Sequence, residues 1–162
     1  MTVHIKRIRK YWLTTTRKKL INFAKVKLKS DSEMLVNIAA EGIFEKKGED
    51  VVQIDLRSIK NAVADFFIVC HGNSRAQVEA IADSVQLEIK KAVGLNVWKK
   101  EGFENAEWIL LDYVDVVVHI FQEGNRKYYR LEELWADAGI KQLNPEPEKP
   151  KRTKKNKSAE AL

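Results

Sequence analysis

The sequence predicts an α/β fold, a single mixed β-sheet of about five strands with helices packed on it, and three observations carry that expectation. Two helices are marked by capping signals followed by apolar residues at helical spacing, Ser30 with Glu33 before the first and Ser74 with Gln77 before the second. Between and after them lie short runs that alternate or are continuously apolar, as strands do. The resulting order of helix, two strands, helix, three strands and helix is most simply satisfied by one sheet covered by helices.

Taken in order, the first helix is expected over residues 32–46, where Leu35, Ile38, Ala39 and Ile43 share a face and Gly48 provides the stop. Val51 to Leu56 places Val52, Ile54 and Leu56 on one side of a strand, and Phe66 to His71 reads as a strand buried on both faces. Gly72-Asn73 then turns the chain into the second helix. Its Val78, Ile81, Ala82, Val85 and Ile89 recur at helical spacing until Gly94 ends it. Leu95 to Lys99 is expected as a short strand, and Trp108 to Asp112 with Asp115 to Phe121 as two strands joined by a tight turn. A last helix near Tyr128 to Ala138 turns Leu131, Leu134 and Trp135 inward and stops at Gly139. The strand-helix-strand unit around residues 66–99 predicts a right-handed crossover. There is no internal repeat.

Composition bounds the function classes. The 162 residues with 44% hydrophobic content suit one domain. The longest apolar-rich run, Val114 to Phe121, is interrupted by Asp115 and His119, so no membrane span is expected. A single cysteine and the lack of an apolar secretory signal point to a reducing compartment, bacterial cytoplasm or an organelle interior. The net charge of +6 conceals an asymmetry: residues 1–30 hold 10 Lys or Arg and no acid, and residues 145–162 hold 6 basic and 3 acidic side chains. The remaining middle has 13 basic and 20 acidic residues, a net of −7. The organisation expected is a basic N-terminal extension over residues 1–30, a folded domain over 31–143, and a basic, flexible tail over 144–162. For the extension, a transit peptide, an amphipathic RNA-binding arm and an upstream addition before Met34 all stay open. An acidic body between basic tails suits a partner that is a basic protein set in nucleic acid.

Few constellations suggest chemistry. Cys70 and His71 are adjacent on a strand and point to opposite faces, so they cannot share a proton. His4, His71 and His119 have no metal-ligand spacing, and Asp55, Asp65, Asp112 and Asp115 read as turn and surface acids. Gly72-Asn73-Ser74 at a helix start is a weak anion-site signal without the further glycines of a nucleotide loop. No cofactor is called for. The unusual segment is Trp108 to Asp115, which gathers a tryptophan, a tyrosine and two aspartates around one hairpin, with Trp108, Leu110 and Asp112 on the face opposite Ile109 and Leu111. Aromatic anchors beside charges fit a protein interface, and a core Trp with turn-forming aspartates fits the pattern somewhat better.

At this hairpin the chain resembles the ribosomal silencing factor family, also called RsfS or Iojap-like. The matching residues include Gly48-Glu49-Asp50, Ile54-Asp55-Leu56-Arg57, Ala64 to Val69, Gly72-Asn73-Ser74 with Gln77, and Glu101-Gly102. They continue through Trp108 to Tyr113, Asp115 to Phe121, Arg126-Lys127-Tyr128-Tyr129 and Leu131 to Ala138, spanning nearly the whole folded region. The resemblance implies a fold related to the nucleotidyltransferase superfamily without catalysis. It further implies a translational repressor that binds the large ribosomal subunit through its fourteenth protein and sterically blocks the small subunit. By carry-over, Trp108, Leu111, Asp112, Tyr113 and Asp115 form the docking surface, with His119 and Tyr129 beside it. Where many family members have glycine this chain has Val114, so a turn of another type or greater length is expected. Two alternatives stand beside this reading, a nucleotide-handling enzyme on that fold and an RNA-binding protein working through its basic tails. Contact of the tails with rRNA and a homodimer off the ribosome are further expectations, and localisation follows as cytoplasmic, or an organelle matrix if residues 1–30 are a transit peptide.

Overall fold

Seven consecutive buried residues, Phe66–Gly72, can only sit where both sheet faces are covered, and this strand is accordingly at the interior of the sheet. The computed structural model describes residues 31–145. The elements are α1 (Asp31–Glu45), β1 (Glu49–Asp55), β2 (Phe66–Gly72), α2 (Arg75–Val93), β3 (Lys99–Glu101), β4 (Trp108–Asp112), β5 (Val116–Gln122), α3 (Glu123–Tyr129), α4 (Leu131–Leu134) and β6 (Gly139–Gln142). One sheet runs in the order β3-β4-β5-β2-β1-β6. Strands β2 and β5 are parallel, Phe66 facing Val116 and His71 facing Phe121, and the other pairings are antiparallel. The mixed α/β sheet is thus as the sequence predicts. The right-handed crossover expected for residues 66–99 becomes a connection from β2 through α2 to β3, with β5 and β4 lying between those strands.

Alternation divides the core in two. Val51, Phe66, Ile68, Cys70, Ile109, Leu111, Val116, Val118 and Ile120 face α1 and α2, which contribute Leu35, Val36, Ala39, Ile43, Val78, Ile81, Ala82, Val85 and Ile89. The other side of the same strands gathers Val52, Ile54, Phe67, Val69, Leu110, Val117 and Phe121 under Leu56, Ala64, Leu131 and Ala138. Helices α1 and α2 approach to backbone contact at Gly42, where a Cβ would lie 2.9 Å from the Val85 Cα.

The second capping box forms: Ser74 Oγ accepts from Gln77 N–H at 3.2 Å, and Gly94 closes α2 with φ 68°. Gln77 Oε1 takes the Asn73 N–H at 2.9 Å, and its Nε2 donates to the Lys47 carbonyl at 2.9 Å, joining the two helices. Ser30 lies outside the described residues, as do His4, the rest of the N-terminal extension and residues 146–162.

Four expectations need correction. At the end of α1 the left-handed position is taken by Lys47 (φ 56°), while Gly48 N–H bonds the Ile43 carbonyl at 2.9 Å. The strand expected at Leu95 to Lys99 starts only at Lys99, because the polar run Lys99–Glu101 is what pairs with Asp112, Leu111 and Leu110. The last helix is two short ones, broken at Arg130 (φ 45°), which resets the helical phase so that Leu131 is buried, Trp135 half-buried and Leu134 exposed. Finally, Gly139 begins a sixth strand on β1, whose four exposed residues give no apolar signal.

Gly102 has φ 88°, and a Cβ there would stand 1.9 Å from the Trp108 carbonyl oxygen. Gly102→Ala is expected to destabilise the fold by about 3 kcal/mol or more, read from urea unfolding; an unchanged midpoint would mean that the β3–β4 connection is not held this tightly.

Candidate functional site

The β4–β5 hairpin closes in a three-residue turn on Val114, whose φ is 76°. Asp115 N–H bonds the Tyr113 carbonyl at 3.0 Å and Tyr113 N–H bonds the Val116 carbonyl at 2.9 Å, a γ-turn of the rare positive-φ kind. The expectation of a different or longer turn is therefore overturned: the β-branched residue takes the strained position itself. Its surroundings fix it there. Asp112 Oδ1 accepts the Val114 N–H at 2.8 Å, and the Asp115 carbonyl accepts from Asp65 N–H at 2.8 Å and Phe66 N–H at 3.1 Å, fastening the tip to the start of β2.

Behind the tip, the sheet face away from α1 and α2 carries an aromatic layer. Trp108 stacks on Phe121 with centroids 4.6 Å apart and lies 5.1 Å from Tyr129, while Phe67 meets His119 edge-on at 4.7 Å and Trp135 at 5.5 Å. Trp108, Tyr129 and Trp135 are half-buried, so the layer is open along one side. His119, only 1% exposed, accepts the Trp108 indole N–H on Nδ1 at 3.3 Å, which leaves the proton on Nε2. That nitrogen is buried with no hydrogen-bond partner, and burial holds the imidazole pKa down to about 3. His119 therefore stays neutral at physiological pH and fixes the indole.

One arginine positions the segment that overlies this layer. A register shift in β1 between Glu49 and Val52, with Asp50 at φ 46°, turns backbone carbonyls outward. Arg126, at the middle of α3, donates to the Asp50 carbonyl at 2.7 Å, approaches His71 Nδ1 at 3.0 Å and forms an ion pair with Glu132 of α4 through Nε at 2.9 Å. Burial, followed by the nearby Arg126 charge, lowers the His71 pKa, which keeps that nitrogen available as an acceptor.

The predicted docking residues separate by burial. Trp108, Asp115 and Tyr129 are partly exposed; Trp108 and Tyr129 meet on the aromatic face at the open end of the hairpin, where Trp108 pairs with Phe121, and Asp115 stands apart from them at the tip. Asp112 and His119 are buried beneath them. Leu111 and Tyr113 lie in the cluster facing α1 and α2, on the other side of the sheet, where burial raises the Tyr113 hydroxyl to about 12. Trp135 and Arg126 belong to the site and were not singled out as site residues from the sequence; Trp135 was expected on the inward face of one longer helix, and the short α4 leaves its ring half-buried.

The competing constellations lose their geometry. Cys70 and His71 are on opposite faces as expected, and burial pushes the Cys70 thiol up to about 12, so it stays protonated. At Gly72-Asn73-Ser74 the Asn73 and Gln77 N–H groups are already bonded to side-chain oxygens, which removes donors from an anion site. Among the described residues no group of three or more His, Cys, Asp or Glu could hold a metal, and no helix is long and apolar enough to cross a membrane.

The family model RsfS, described as ribosomal silencing factor during starvation, matches residues 29–162. The chain belongs to the ribosomal silencing factor family. A Bacillus subtilis protein named ribosomal silencing factor RsfS is 42% identical over 114 residues, 70% of this chain and 95% of its own length. The Halalkalibacterium halodurans protein of the same name is 41% identical over 112 residues, 69% of this chain and 94% of its own. The chloroplastic protein Iojap of Zea mays is 38% identical over 73 residues, 45% of this chain and 31% of its own. Crystal structures of proteins from Chromobacterium violaceum and Bacillus halodurans superpose with TM-scores of 0.62 and 0.59 at 36% and 39% identity. They cover 65% and 68% of this chain and 87% and 99% of their own.

For this silencing factor, two measurements probe the site. Val114→Gly relieves the positive φ and is expected to stabilise the domain by about 1 kcal/mol in denaturant unfolding; destabilisation would show that the valine side chain contributes more than its backbone costs. His119→Phe loses the indole hydrogen bond, about 1 kcal/mol at neutral pH. Because the folded His119 value lies below the ordinary 6.5, the unfolded chain takes up the proton first as pH falls, and the wild type loses stability from pH 6.5 downward. The wild-type advantage over His119→Phe should therefore vanish at about pH 5.5. A difference independent of pH would contradict a buried, neutral imidazole.

Proposed function

We propose that this chain is a non-catalytic translational repressor that binds the large ribosomal subunit through its fourteenth protein and excludes the small subunit. The observation that carries the reading is the half-open aromatic face on the β4–β5 hairpin, in a chain of the ribosomal silencing factor family. Trp108 and Tyr129 are the anchors, Asp115 and Glu107 supply charge at the edge, and Asp112, Tyr113, Leu111 and His119 hold the hairpin and the indole in place. Glu107 lies near enough to Tyr129 to help raise the phenol, after burial and Tyr128. With 13 basic against 20 acidic residues over 31–145, the body is matched to a basic protein, which favours rapid encounter.

Silencing then needs no reaction. A domain of this size has a radius of gyration of about 13 Å, enough to fill the space between two subunits at a joining surface. Bound at about 100 times its Kd, such a factor disfavours joining by about 2.7 kcal/mol. The silencing unit is residues 31–143, with the basic segments 1–30 and 144–162 appended to it, and its place of action is the compartment that holds the ribosomes, the cytoplasm. Off the ribosome the same aromatic face is available to pair two copies.

The test is sedimentation of the full chain with isolated large subunits, followed by addition of small subunits. Trp108→Ala with Tyr129→Ala should weaken co-migration at least about 100-fold and restore joining, while circular dichroism reports an intact fold. Asp115→Lys should slow association most at low salt. A folded double variant that binds and blocks joining as the wild type does would remove the aromatic face from the interface.

A further inference from the structure

Four of the 13 basic residues in 31–145 fall within residues 90–100, namely Lys90, Lys91, Lys99 and Lys100. Lys90 and Lys91 close the last turn of α2, where they also complement the helix dipole. Lys99 and Lys100 lie on the edge strand β3. Between the two pairs the chain exposes Leu95 and Trp98, the latter at 49%. Two acids enter the corner, Glu88 paired with Lys91 at 3.0 Å and Glu101 paired with Lys99 at 2.8 Å, which leaves it at +2 while the rest of the body stands at −9. Helix-dipole matching accounts for Lys90 and Lys91 alone. It does not account for an exposed tryptophan or for the lysines of β3.

The corner is fastened to the docking hairpin. Trp98 N–H donates to the Asp112 carbonyl at 2.9 Å, and Lys99 is the cross-strand partner of Asp112. Whatever the hairpin tip meets, this corner meets the surface next to it. A strongly acidic body set down among RNA is repelled unless its basic surface is turned toward the phosphates.

We propose that Lys90, Lys91, Lys100 and Trp98 form an RNA-contact corner, the lysines on backbone phosphates and the indole stacked on an exposed base or ribose. This rests on the reading that the hairpin docks on a ribosomal protein, and it adds a second partner of different chemistry. Aromatic rings between lysines supply stacking to a contact whose remaining strength depends on salt. Lys99, the less exposed lysine of β3 and the cross-strand partner of Asp112, stays out of the set.

The experiment uses the full chain, titrated against isolated large subunits and, separately, against the purified fourteenth protein. In the triple variant Lys90→Gln, Lys91→Gln and Lys100→Gln, the slope of log affinity against log salt for subunits should fall by about two to three from about 50 to 200 mM. Trp98→Ala should weaken subunit binding about 10-fold or more. Neither change should alter binding to the isolated protein, and thermal melts check that both variants fold. A photo-crosslinking residue at position 98 should label rRNA. Unchanged affinity and slope in the triple variant, or a crosslink to a ribosomal protein, overturns the RNA contact while leaving the docking reading in place. Wild-type failure to bind either target overturns the docking reading and the corner with it.

Discussion

The arrangement of the functional face depends on one partly buried guanidinium. Arg126 binds a carbonyl exposed by the β1 register shift, the imidazole at the end of β2 and a carboxylate of α4, so it ties α3 to all three elements. Neither α3 nor α4 could hold its place unaided: α3 has no fully buried residue and α4 has only Leu131. A partly buried ion pair is a weak source of net stability, but its loss would leave the remaining charge under-solvated, so it specifies where the short helices lie. Their placement decides that Tyr129 and Trp135 meet Trp108 and Phe67 and leave the layer open along one side.

The two faces of the sheet consequently differ in kind. On one, α1 and α2 cover strand residues almost completely, with Gly42 permitting backbone contact between the helices. On the other, aromatic rings alternate with a histidine kept neutral by burial, and polar atoms are matched sparingly. The hairpin tip is stiff, with Asp112 and the Asp115 carbonyl absorbing backbone donors on both sides of a positive-φ valine.

Much of this was legible in the sequence, and the exceptions have physical causes. Helix α2, the continuous burial of β2 and the opposed faces of β4 were readable because apolar periodicity reports burial directly. Strand β6 was not, since a solvent-exposed edge strand is specified by the neighbour it pairs with and carries no pattern of its own. The break at Arg130 and the turn at Val114 were missed for a shared reason: non-glycine residues at positive φ run against local preference and are imposed by tertiary bonds. For the site, the segment Trp108 to Asp115 stood out by composition, but spacing could not say which of its residues face solvent. Burial divides them, and the role of Arg126 arises from contacts 55 and 76 residues away in sequence.

On the proposed function, a repressor that acts by occupying a surface has no transition state to favour, so all of its binding free energy can be expressed as affinity. What limits that affinity is the ordering cost at the moment of docking. Each feature of the face lowers it: rings carry few rotatable bonds, the Trp108 indole is already held by His119, and the tip is already bonded to β2. The strain at Val114 fits the same account. It is borne in the folded state before any partner arrives, and the partner meets a hairpin whose shape no longer has to be selected.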